Sequence, residues 1–169
     1  MIGVPGRDEA APYYYRYIDR IESDDIVGVL GSQLEETLGF LRGVSEEDSL
    51  YRYAPEKWSV RQVLGHVSDT ERLFAFRALW FARGFDSPLP SFDQTTDAEA
   101  ARSDSVAWGR LVEEFRAVRL ATLSLFGNLP AEAWSRRGIA SDYPFTVRSL
   151  AYITAGHLEH HLEILRKRY

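Results

Sequence analysis

The sequence contains no cysteine, which excludes a disulfide framework and any thiolate metal site. A metal could be held only by His, Asp, Glu and water. There is no uninterrupted apolar stretch of about 18 residues, so no membrane span is expected. The start, Met1-Ile2-Gly3-Val4-Pro5-Gly6-Arg7-Asp8, lacks a basic segment followed by an apolar run. No signal peptide is therefore expected, and the cytoplasm is the default location. Basic residues are outnumbered: 20 Lys and Arg face 25 Asp and Glu, a net charge of −5. That balance argues against a nucleic-acid partner, which calls for a basic face. No internal repeat or low-complexity tract is present. The 169 residues, 45% hydrophobic and 27% charged, suit one compact domain.

What is present is a helical period. Residues 1–22 read as a lead-in, broken by Pro5, Gly6 and Pro12. Its four tyrosines, Tyr13, Tyr14, Tyr15 and Tyr17, should hold it against the body, residues 23–169. Ile26, Val29, Leu30, Gln33, Leu34, Thr37, Leu38 and Leu41 mark a first helix over about 24–43, capped by Ser23 or Asp24. Ser59 and Gln62 form a capping box for a second helix, which Gly84 ends. Residues 84–103 read as a long loop of the kind that covers a site. A third helix is expected over about 104–128, with Ser103 or Asp104 as its cap. Residues 141–145 read as an extended crossing, and a fourth helix as running from Thr146 to Arg168. Four long helices without a competing strand pattern give an all-α four-helix bundle.

Histidine is also scarce. The chain has four, all in two short segments. His66 lies about 60° from Val63 on the second helix, at the edge of its buried stripe. His157, His160 and His161 follow on the fourth. The i, i+4 spacing puts His157 and His161 on one face, inside the buried arc, while His160 is turned about 100° from His161. Three imidazoles left unpartnered in a core would cost a few kcal/mol each, roughly. One shared ion satisfies all three, and leaves coordination positions open for chemistry. A zinc-peptidase helix does not fit. It needs Glu directly after its first His, and here Leu158 stands there, with Glu159 pointing away.

The segment Trp58-Ser59-Val60-Arg61-Gln62-Val63-Leu64-Gly65-His66-Val67, followed by Asp69 and Glu71, resembles the first signature of the DinB-like superfamily, which includes YfiT-like proteins. Gly156-His157-Leu158-Glu159-His160-His161 looks like its second, His-x-x-His-His. Thr146-Val147-Arg148-Ser149-Leu150 is also family-like, and the resemblance covers about residues 25–168. It implies a four-helix bundle in up-down-down-up order, often a homodimer. It also implies one divalent ion on His66, His157 and His161. Zinc and nickel come first, with iron, manganese and copper open, because imidazoles alone do not select. The activities it implies are metal-dependent hydrolysis or thiol S-transfer on a small-molecule substrate, the thiol being of low molecular weight. Water in an open position, or a thiol, would ionise near neutrality on such an ion.

Arg77 and Arg119 are candidates for binding the carboxylates of such a substrate, or else interhelical salt bridges. Glu71 and Asp93 are candidates for proton transfer or for steadying a ligating imidazole, with His160 as a further catalytic candidate. The alternative is a non-catalytic metal-binding or stress-associated interaction protein. Access decides between them, since a catalytic ion needs an open cavity and a structural one is closed by a fourth protein ligand.

Overall fold

Four long helices carry the apolar stripes, and the rest of the chain is arranged around them. The computed structural model describes residues 2–169, and it is mostly helical. In chain order the helices are α1 (Tyr15–Ile18), α2 (Ile26–Arg42), α3 (Val60–Ala82), α4 (Gln94–Ala101), α5 (Trp108–Gly127) and α6 (Val147–Arg168). Among the described residues no helix is long and apolar enough to cross a membrane.

The helix starts show which side chains set the boundaries. Ser59 and Gln62 form the expected capping box of α3, with Gln62 N donating to Ser59 Oγ at 3.0 Å and Ser59 N to Gln62 Oε1 at 3.1 Å. Gly84, with φ +81°, follows its last turn. α2 begins at Ile26, and its cap is Asp25, which accepts from Gly28 N at 3.0 Å, rather than Ser23 or Asp24. α5 begins at Trp108 and not near residue 104. Asp104 cannot cap it, because its carboxylate is taken by Arg52 and Ser59. The first N–H of α5 is met instead by Glu46 Oε2 at 3.0 Å, from sixty-two residues away.

Two further differences lie in the connections. The 84–103 segment contains α4, capped by Asp93. The expected extended crossing is part of an antiparallel hairpin, β1 (Arg137–Ala140) and β2 (Tyr143–Thr146). Its two-residue turn, Ser141 and Asp142, has φ of +50° and +66°. Both angles are positive, the condition of a type I′ hairpin turn. The reading as a crossing missed it because the usual Asn-Gly or Asp-Gly signal is absent.

Each of α2 and α3 packs mainly on α5 and α6, so α2 and α3, though successive long helices, are not principal neighbours. Arg61, at the start of α3, donates to Val106 O just before α5, and Arg72 further on pairs with Glu114. Leu41, at the end of α2, meets Trp108 at the start of α5. His66 near the start of α3 meets His157 well along α6, while Gln33 of α2 meets Ala155 O. One apolar cluster joins α1, the hairpin and the first half of α6 to the end of α3. A second joins the end of α2, the start of α3, α5 and the end of α6.

The lead-in is bound tightly to α6. Glu9 pairs with Arg148 and accepts from Thr146 Oγ1, and Tyr152 Oη donates to Ser23 O at 2.7 Å. Gly156 makes the approach possible. A Cβ there would fall inside the contact radius of the Tyr17 carbonyl.

Candidate metal centre

His66 sits in the second turn of α3, and His157 and His161 sit one turn apart on α6. Their side chains meet. His66 Nε2 and His161 Nε2 each lie 3.1 Å from His157 Nε2, and the three residues offer ligand atoms within 4.8 Å of one another. Nitrogens at 2.0–2.1 Å from a tetrahedral ion would stand roughly 3.3 Å apart, so the spacing fits one shared ion. Among the described residues no fourth His, Asp or Glu joins the cluster.

The electrostatics favour the ligating form. Burial lowers His66 to about 4. Burial first, then the neighbouring imidazoles, lowers His161 to about 3 and holds His157 well below its ordinary range. Neutral imidazole with a free lone pair is what a metal requires. Thr70 Oγ1 lies 3.3 Å from His66 Nδ1. With Nδ1–H donating to that hydroxyl, the lone pair is on Nε2 and faces the cluster. The Trp58 ring lies 4.9 Å from His66, and Tyr17 and Phe74 present edges to His157.

A cavity of about 220 Å³ opens beside His66 and His157. Besides His157 of α6, its walls come from four parts of the chain. The lead-in gives Tyr13, Tyr14 and Tyr17, α3 gives Thr70, Phe74 and Arg77, the segment before and into α4 gives Phe92 and Gln94, and the hairpin turn gives Ser141. The three tyrosines were visible in the sequence only as a reason for the lead-in to adhere. Nothing local marks Phe92, Gln94 or Ser141, which reach the cavity through tertiary packing.

The other candidates fall in different places. Glu71 and Arg119 form a buried ion pair, with Arg119 Nε and Nη2 each 2.8 Å from a Glu71 oxygen. Arg119 also donates to Leu30 O and Gln33 Oε1, so its donors are occupied away from the cavity. Asp93 is exposed, and its carboxylate accepts from Thr96 N at 2.7 Å. His160 faces the lead-in, its Nδ1 3.4 Å from Arg20 Nη2 and its ring 5.6 Å from Tyr17. Arg77 alone of the two arginines lines the cavity.

A comparison with curated protein sequences finds no match. Among solved structures the chain is similar to YfiT from Bacillus subtilis, described as a probable metal-dependent hydrolase with an unusual four-helix bundle topology. The TM-score is 0.72 at 19% identity, over 87% of this chain and 91% of that one. At that identity the likeness carries the fold alone. The family model of the DinB superfamily matches residues 30–165, a span that holds α3, α5 and all three converging histidines, and the chain belongs to that superfamily.

Proposed function

We propose that this is a metal-dependent enzyme in which His66, His157 and His161 hold one divalent ion, zinc or nickel by preference, at the wall of a cavity for a small-molecule substrate. The observation that carries the reading is the convergence of three neutral imidazoles beside open space. A structural ion would be enclosed by a fourth protein ligand. An ion held there supplies Lewis acidity and lowers the pKa of a water or thiol in its open positions. Thr70 fixes the His66 ring, Trp58 covers that ring, and Phe74 and Tyr17 keep water from the flanks of His157. Tyr14 and Tyr17, both raised above their ordinary range chiefly by burial, stay protonated and serve as hydrogen-bond donors on the cavity wall.

Hydrolysis is the first reading, supported by the description of YfiT. Thiol S-transfer is the second, favoured by the cationic Arg77 on the wall, which suits a thiol bearing a carboxylate. The helix-end pairings support the up-down-down-up order, with α3 and α5 running together and α2 and α6 opposite to them. The exposed Phe76, Leu79 and Leu120 fit a homodimer contact.

The test is elemental analysis of protein purified without a His-tag or nickel column, followed by turnover of esters, amides and thiol–electrophile pairs. About one ion per chain is expected, with activity lost on chelation and restored by the divalent ion. Metal-free protein that takes up no ion, or turnover that survives both chelation and His66→Ala, ends the proposal.

A further inference from the structure

Arg77 is 1% exposed, yet among the described residues no carboxylate offsets its charge. Its Nη2 donates to Pro90 O at 2.9 Å and Ser141 Oγ at 3.0 Å, both neutral acceptors. Its Nε is buried with no hydrogen-bond partner among the described residues. A buried cation left in this condition is costly, and the contrast with Arg119, which holds Glu71 in a two-point pair, shows what this protein does elsewhere with the same group. Arg77 also lines the cavity that His66 and His157 open into.

We propose that Arg77 is an anion subsite, which takes the carboxylate of a small substrate whose reacting end lies at the three histidines. The inference rests on the functional reading above for the reacting end, and on Arg77 alone for the carboxylate. Two neighbours complete the subsite. The Ser141 hydroxyl accepts from Arg77 and keeps its own proton to donate, and the protonated Tyr14 hydroxyl stands beside the guanidinium. Ser141 is the first residue of the hairpin turn, and the β1–β2 pairing on either side fixes its place.

A carboxylate fits better than a phosphate. One buried guanidinium neutralises one negative charge, and a dianion would leave a second uncompensated. The cavity limits the size. Cα atoms eleven positions apart on α3 stand about 16 Å along the axis, and helical side chains lean toward the N-terminus. Both side chains lean the same way and only the extra length of Arg77 shortens that distance, so the cavity of about 220 Å³ between Phe74 and Phe92 is what limits the ligand to a small acid.

Calorimetric titration of metal-free and zinc-loaded protein with butyrate, butyramide and butyl phosphate tests this. Butyrate should bind both forms and butyramide neither. Arg77→Gln should weaken butyrate by roughly tenfold or more, the scale of one charge-assisted hydrogen bond, and Arg77→Lys should recover part of it. Because the metal-free protein is included, failure to load zinc would remove the functional reading while the butyrate arm still judged Arg77. Equal binding of acid and amide in the unaltered protein overturns the proposal even if Arg77→Gln does not fold. Tighter binding of butyl phosphate, or unchanged butyrate affinity in a folded Arg77→Gln, does so as well.

Discussion

One step along α6 turns a side chain by about 100°, and this separates two adjacent histidines. His161 Nε2 lies 3.1 Å from His157 Nε2, while His160 faces Arg20. His161→Ala should therefore abolish stoichiometric metal binding and His160→Ala should keep most of it, as read by elemental analysis after dialysis. Equal losses would mean that the ligand set is wrong. The inward direction of the three histidines was legible in the sequence because helical geometry fixes direction from spacing, while their meeting point is set by how α3 packs on α6. The two arginines were not separable in the same way. Arg77 and Arg119 both point inward, but whether an inward arginine meets Glu71 or an open cavity depends on helices dozens of residues away.

At the scale of elements, the lead-in and α6 act as a pair. Gly156→Ala would drive a Cβ into the Tyr17 backbone, which cannot yield as a side-chain tip can. A loss of about 1–3 kcal/mol is expected, visible as a lower Tm and faster exchange of the α1 amides. Glu9 supplies the electrostatic half of the same contact. Burial alone would raise its carboxyl, but Arg148, Gly6 N–H and Thr146 outweigh burial and hold it below 4.5. Its folded pKa is thus depressed, so its contribution is complete above about pH 4.5 and is lost as the pH falls through the folded value. Glu9→Gln should loosen residues 6–18 at neutral pH, seen as faster tryptic cleavage at Arg16, and should flatten the acid limb of the stability profile. Unchanged cleavage would show that apolar contacts suffice.

The four long helices were legible because their stripes repeat regularly. α4 was not, since Ala98 is its one buried residue. The start of α5 was hidden for a different reason. Its cap comes from Glu46, and no local window contains that information.

For the whole molecule, the buried Glu71–Arg119 pair ties three helices together, because Arg119 of α5 also reaches Leu30 and Gln33 of α2. Glu71→Ala strands a cation in the bundle and should lower stability by about 3–5 kcal/mol in urea denaturation. Replacing both partners with apolar residues of similar volume should cost far less, and similar losses in the two variants would argue against a desolvation origin. The general architecture, a helical bundle whose core holds three histidines, could be read from periodicity. The closing of the cavity could not, because it depends on the lead-in, α4 and the hairpin arriving at one place.

That convergence also has a timetable. His66 and His157 are ninety-one residues apart in the chain. A ribosome adding roughly 5–20 residues per second delivers the second about 5–20 s after the first. Throughout that interval the nascent chain carries a lone imidazole from this site, which cannot chelate. An ion held by all three histidines, as proposed, would therefore load only after α6 has left the ribosome, and could not template the early helices.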